Sequence, residues 1–174
     1  MDNDHNFTDS LQFRPELISR KGELIAWFCA FLVGAGWFIL VINGRKVPGS
    51  VLILGIFLLF SALAISLGNW MDRHTHIRIY NDHLTFGNGL RHAIMVWDDI
   101  RRVEVIPSKW GKKVSVQSEH SHFEFRTLGE VDFRGEIKGR LGFRDGDKIL
   151  DMIIQKAGLK PVESTSAGYY YTRQ

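Results

Sequence analysis

The sequence predicts an α+β membrane protein: a two-helix transmembrane hairpin, then an antiparallel β-barrel or sandwich capped by one C-terminal α-helix. Three observations carry this expectation. Residues 24–42 contain no charged side chain, and neither do residues 47–71. From residue 75 onward, apolar side chains recur at every second position in short runs separated by turn residues. Near residue 149 the apolar spacing changes to that of a helix.

A helix rises about 1.5 Å per residue, so about 20 apolar residues cross the ~30 Å hydrocarbon core of a bilayer. The stretches 24–42 and 51–70 reach that length, and neither keeps the polar face of a helix lying on a soluble core. The first run exceeds the roughly 7–15 apolar residues of a signal peptide. It leads into Asn43, Gly44, Arg45 and Lys46 rather than a small-residue cleavage site, so it reads as a retained anchor. Gly44, Pro48 and Gly49 suit a tight turn, which makes the spans antiparallel and places both chain ends on one side. Arg20, Lys21, Arg73 and Arg78 flank that side, with Arg14 and Arg91 farther out, against Arg45 and Lys46 in the link. The positive-inside rule then predicts a multi-pass plasma-membrane protein whose termini and β-rich part are cytoplasmic.

Trp27, Trp37 and Trp70 lie near span ends and are expected to anchor at the headgroups. Small residues recur at four-residue spacing: Ala26, Ala30 and Gly34 in the first span, and Ala62 with Ser66, or Ala64 with Gly68, in the second. Such ridges let helix backbones approach closely, within the hairpin or between two copies of it. No ionisable residue lies within either span, which argues against an ion pathway or proton relay.

Residues 1–23 read as a juxtamembrane arm, in which Leu11, Phe13, Leu17 and Ile18 suit a short interfacial turn interrupted by Pro15. Residues 72–159 read as one β-rich domain. Ile77 and Ile79, Leu84 and Phe86, Val103 and Val105, Val114 and Val116, and Phe123 and Phe125 each alternate with polar neighbours, as in half-buried strands. Residues 93–97 are more continuously apolar, and residues 131–143, with Gly135, Gly139 and Gly142, suggest a last strand and a mobile loop. Ile149, Leu150, Ile153, Ile154 and Ala157 share one helical face, with capping chemistry at Asp145-Gly146-Asp147 and Gly158 as its closing residue. Residues 160–174, including Tyr169-Tyr170-Tyr171, lack periodicity and read as a flexible tail unless the tyrosines dock.

The order of these segments resembles the bacterial pleckstrin-homology-like (PH-like) membrane proteins, in which a two-helix hairpin precedes a small PH-like barrel. The resemblance covers roughly residues 24–159. It rests on Ile77-Arg78-Ile79-Tyr80, His83-Leu84-Thr85-Phe86-Gly87, Val96-Trp97-Asp98-Asp99-Ile100 leading into Arg101-Arg102-Val103-Glu104-Val105, and the helix near residues 149–157. It implies a fold and carries no catalytic chemistry. Phosphoinositide-binding relatives place a Lys and then Arg-x-Arg across their first two strands. Here the first turn is Tyr80-Asn81-Asp82-His83 with only Arg78 before it, so specific inositol-phosphate recognition is not expected.

The candidate contact site is the segment 107–113, where Trp110 sits among Lys109, Lys112 and Lys113, with Arg101 and Arg102 extending the positive charge. A lysine near an anionic leaflet is worth about 1 kcal/mol, and the tryptophan ring suits the headgroup level. The competing reading is a solvated turn with Trp110 folded onto the domain. His74-x-His76 and His120-x-His122 each place two imidazoles on one strand face, a metal pattern only if the pairs adjoin. Gly87-Asn88-Gly89 reads as a turn, adjacent Asp98 and Asp99 would face opposite ways, and Ser118 and Ser121 near His120 and His122 have no third group. One cysteine, Cys29, excludes a disulfide framework, and a net charge of +3 gives no polybasic nucleic-acid tail. The expectation is a membrane-anchored, non-enzymatic interaction or scaffolding module without cofactor or metal. Its partners would be the lipid bilayer and another membrane protein or a second copy, not nucleic acid. The alternative is a sensor of anionic headgroups through the basic Trp110 loop.

Overall fold

The computed structural model describes residues 10–17, 19–133, 136–162 and 168–173. They fall into two compact units: residues 19–71, and residues 10–17 together with those from 72 onward.

The first unit is a helical hairpin. α1 (Lys21–Ile42) and α2 (Gly49–His74) are 22 and 26 residues long, each long and apolar enough to cross a membrane. α1 stops where Gly44 takes a left-handed conformation, φ 67°, so that its N–H and that of Arg45 turn back to the carbonyls of Val41 and Leu40. Asn43 adds a side-chain bond from Nδ2 to the Ile39 carbonyl at 2.7 Å. The helices run antiparallel, since Trp27 bonds Ser66 while Val33 packs beside Gly55. Half-buried or buried positions on α2 recur at Val51, Gly55, Leu58, Ala62, Ser66 and Asn69, a spacing of three and four that keeps one seam against α1. Of the two small-residue registers read on α2, the structure uses Ala62 and Ser66. Ala62 is wholly buried, whereas Ala64 and Gly68 are exposed on the other face. Ala26 and Ala30 lie on the seam side of α1, while Gly34 borders an open apolar groove with Trp37 and Gly55.

The second unit contains eleven strands among its described residues: β1 (Leu11–Phe13), β2 (Thr75–Ile79), β3 (His83–Asn88), β4 (His92–Val96), β5 (Ile100–Ile106), β6 (Lys113–Ser118), β7 (His122–Arg126), β8 (Gly129–Phe133), β9 (Glu136–Leu141), β10 (Lys160–Pro161) and β11 (Tyr169–Thr172). α3 (Gly146–Lys156) lies between β9 and β10. The strands form antiparallel sheets ordered β1-β2-β3-β4, β10-β11-β5-β6-β7 and β8-β9. This is an α+β arrangement of open sheets; among the described residues no closed barrel forms. Thr75 opens β2 directly after His74 ends α2, with no linker between them.

The alternating residues fill the space between the sheets and α3. Ile77, Leu84, Val103, Val105, Val114, Val116 and Phe123 are essentially inaccessible, as are Ile149 and Ile153 of α3. Each such side chain contributes about 1.5–3 kcal/mol on burial. Phe86 stacks on Phe123 at 4.8 Å between centroids, tying the two larger sheets together.

Five expectations need correction. Leu11 and Phe13 form β1 on the edge of β2, with Phe13 packed against the core, rather than an interfacial turn; Ile18 lies outside the described residues. Residues 169–172 of the segment read as a tail form β11, pairing Tyr169 with Val105 and Tyr171 with Val103. Residues 93–97 alternate after all, because Ala93, Met95 and Trp97 point inward while Ile94 and Val96 are exposed. Residues 129–141 form the β8–β9 hairpin, and Gly135 lies outside the described residues. At α3, Asp145 makes no side-chain cap bond, whereas Gly158 closes the helix at φ 63° as its position suggests.

Candidate functional site

The basic segment forms the turn between β5 and β6. Pro107 ends β5, since proline donates no ladder hydrogen bond. The turn is pinned to the chain that follows β7: the N–H of Lys112 donates to Thr127 Oγ1 at 2.9 Å, and the N–H of Thr127 donates to the Lys112 carbonyl at 2.9 Å. Two glycines make this approach feasible. Gly111 sits at φ 84°, and a Cβ on it would lie 2.4 Å from the Thr127 carbonyl oxygen. A Cβ on Gly129 would lie 2.2 Å from the Trp110 carbonyl carbon. Sequence reading missed this pairing, because a Gly signals permissive backbone without saying which distant strand approaches it.

The lysines of the turn have acidic neighbours. Lys112 Nζ donates to Asp147 Oδ1 at 2.8 Å, and that bond, reinforced by the aspartate's charge, holds the ammonium above its ordinary range. Lys113 pairs with Glu124 at 2.8 Å. Lys109 forms no ion pair among the described residues, and Trp110 is 47 % exposed. Arg101 and Arg102 lie at the other end of β5, where Arg101 pairs with Glu119 of the β6–β7 turn. The guanidinium bond, with its charge, pulls the Glu119 carboxyl below its usual value. Arg102 lies over the Tyr170 ring at 4.5 Å, a cation–π contact. The six candidate residues thus occupy two ends of one hairpin, and most of their charge is locally answered.

A second polar site lies in the helical hairpin. Trp27 Nε1 donates to Ser66 Oγ at 2.8 Å, and Ser66 Oγ donates to Glu23 Oε1 at 3.0 Å. Asn69 Nδ2 donates to the other carboxylate oxygen at 2.9 Å. Glu23 stands in the first turn of α1, where the helix dipole favours a negative charge. The cluster clasps the start of α1 to the end of α2. Trp27 therefore has a helix-pairing bond while still 40 % exposed, much as Trp37 and Trp70 are exposed. The missed residue is Glu23, which reads in sequence as part of the arm; its spacing to Ala26 and Ala30 is the signal that places it on the seam.

The histidine pairs do not merge. His76 Nδ1 donates to the His74 carbonyl at 2.9 Å, and its ring lies over Gly87. His122 meets the Arg91 guanidinium at 3.3 Å, on a different sheet. Among the described residues no three His, Cys, Asp or Glu side chains gather as a metal set. Ser118 and Ser121 bond each other across the β6–β7 turn, and Asp98 bonds Arg173. Asp82 accepts from His83 at 2.8 Å, and this bond lowers its carboxyl pKa.

No protein-family model, curated protein or solved structure matches this chain.

Proposed function

We propose that the chain is a membrane-anchored, non-enzymatic interaction or scaffolding module whose β-rich unit is a PH-like domain at the cytoplasmic face of the plasma membrane. One observation carries this reading: the two long apolar helices leave their surface uncovered. No residue of α1 is buried and only Ala62 is buried in α2, while Phe31 and Ile53 are 72 % and 70 % exposed. A core helix of a soluble protein would be mostly covered, and a continuous apolar surface of this kind requires lipid or another apolar partner. Four successive strands in one sheet, three more in the next and a helix packed on both support the PH-like part of the reading.

Anchoring confines the β-rich unit to two dimensions and raises its effective concentration toward other membrane proteins, so a weak surface suffices for assembly. The partner is another membrane protein or a second copy. The full chain should stay in the pellet after an alkaline carbonate wash, and cross-linking in mild detergent should capture itself or a membrane protein. A detergent-free monomer in the carbonate supernatant overturns the anchor, and a monomer without any cross-linked product overturns the scaffold.

Exposed Trp110 beside Lys109 favours a second reading, a sensor of anionic headgroups through the β5–β6 turn. It ranks below the first because Lys112 and Lys113 are already paired with carboxylates. A dye on Ser108→Cys that reports headgroup contact in anionic vesicles supports this reading, and one that stays in water removes it.

A further inference from the structure

The seam between α1 and α2 is not closed along its whole length. Near the open ends of the helices it is sealed by Ala62 and by the bonds that join Trp27, Ser66 and Glu23. Toward the link it holds a groove of about 270 Å³, walled by Ala30, Gly34 and Trp37 of α1 and by Val51, Gly55 and Leu59 of α2. Every residue that lines it is apolar. An engineered apolar cavity of about 150 Å³ already takes up benzene, so this space has room for a longer hydrocarbon.

The depth of the groove matches one leaflet. Ala30 to Trp37 is about 10 Å of helix and Val51 to Leu59 about 12 Å, against about 15 Å for half of the hydrocarbon core. The groove begins about 3 Å of helix from Gly49, the first residue of α2, and about 8 Å from Ile42, the last of α1. Between those two helix ends lies the link, where Arg45 and Lys46 are both exposed. Neither forms an ion pair among the described residues. The one acidic residue in the stretch 19–71, Glu23, stands about 29 Å of helix from Ile42 and bonds Ser66 and Asn69 instead. No carboxylate of the hairpin answers the positive charge at the groove's mouth.

We propose that the groove holds one acyl chain of an anionic phospholipid, whose phosphate sits on Arg45 and Lys46. This inference rests on the spanning reading of α1 and α2. Small residues alone do not carry it, since closely packed helix pairs use them too. It is carried by an apolar slot one leaflet deep that ends beside two unanswered cations, which attract anionic lipid at a membrane surface. The spans of a second copy would offer those cations no carboxylate, because the stretches 24–42 and 47–71 contain none.

The test uses the full chain in mild detergent with equal amounts of phosphatidylglycerol and phosphatidylcholine, and mass spectrometry of the intact complex counts the lipid retained. The parent should keep one phosphatidylglycerol, favoured several-fold over phosphatidylcholine. Gly34→Leu fills the groove at a position where a Cβ meets nothing within 4 Å, and should reduce retention several-fold. Gly36→Leu, outside the groove and equally unobstructed, should not. Arg45→Gln with Lys46→Gln should keep a lipid and lose the preference. Equal retention of both lipids by the parent, unchanged retention by Gly34→Leu, or a preference that survives the loss of both cations overturns this inference. A dimer that Gly34→Leu disrupts, with no lipid retained, puts a second copy in the groove and overturns it equally. Insertion is read separately in vesicles of the same two lipids, from acyl-chain nitroxide quenching of a dye on Ile53→Cys in a Cys29→Ser chain. Quenching there beside a failed lipid result leaves the spanning helices standing. No quenching overturns the spanning reading, and this inference falls with it.

Discussion

Arg173 Nη2 donates to the carbonyl oxygen of Ala157 at 2.8 Å, so a residue beyond β11 satisfies the end of α3. Helix C-termini leave carbonyls without intrahelical partners, and a cation is favoured there. The same guanidinium bonds the Trp97 carbonyl at 3.4 Å and the Asp98 carboxylate at 3.2 Å, while the Arg173 N–H donates to the Arg101 carbonyl at 3.2 Å. Arg173, just past β11, thereby ties the end of α3 to the residues that lead into β5. Arg173→Ala should cost about 2 kcal/mol, the scale of hydrogen bonds to a charged group. Amide exchange should accelerate first over Tyr169–Thr172. Unchanged exchange there, with an unchanged melting temperature in detergent, would show that β11 stays in place without this latch.

Ala62 and Ala64 are two residues apart on α2, yet one is wholly buried and the other exposed. Ala62→Leu should overpack the helix seam and cost about 1–3 kcal/mol, while Ala64→Leu should be tolerated. Ser66→Ala removes the atom that links Trp27 to Glu23 and should cost about 1 kcal/mol, the ordinary scale for interhelical polar bonds in membranes. A dye pair at the open ends of α1 and α2, followed through an SDS titration, reads all three. Equal effects at 62 and 64 would mean that α2 presents a different face to α1.

The readable and unreadable parts of this chain divide along the range of the interactions involved. An uncharged run of span length needs no tertiary information, and the ends of α1 and α2 fall close to those of the runs. Alternation marks β2, β3 and β5 to β7 because each has one face on the core. β1 is too short, at three residues, to display a period, and Tyr169-Tyr170-Tyr171 has no polar alternation. Their positions follow from Ile79 and Val105, the partners they pair with across long stretches of chain. The basic segment was legible as a composition and not as an electrostatic surface. Lys112 meets Asp147 of α3, and Lys113 meets Glu124 of β7, pairings that only the folded register creates.

Gly111 and Gly129 approach each other where the β5–β6 turn meets the chain after β7, and neither has room for a methyl group. Gly129→Ala drives Cβ into the Trp110 backbone rather than into a flexible side-chain tip. The approach must therefore open, with loss of the Lys112–Thr127 bonds, at a cost of about 1–3 kcal/mol. Gly111→Ala adds the strain of φ 84°. Urea denaturation in mild detergent, with Lys109→Ala in the same turn as the comparison, measures the loss. A Gly129→Ala chain as stable as the parent would show that the turn is not held against residues 127–129.

Glu119 and Lys112 link stability to pH at opposite extremes. The Arg101 bond lowers the Glu119 pKa below its ordinary 4.5, so the folded state favours the carboxylate. Its contribution is fully present above pH 4.5 and is lost as pH falls through the lower folded value. The Asp147 bond raises Lys112 above 10.5, so its contribution is fully present below that pH and is lost as pH rises through the higher folded value. Between these limits neither group should change stability. Both pairs are exposed, so the effects should be small and should shrink with salt. Melting temperature against pH tests each: Arg101→Gln should flatten the acid limb, and Asp147→Asn the alkaline limb. If either substitution leaves that limb unchanged, the pairing assigned to that residue is wrong.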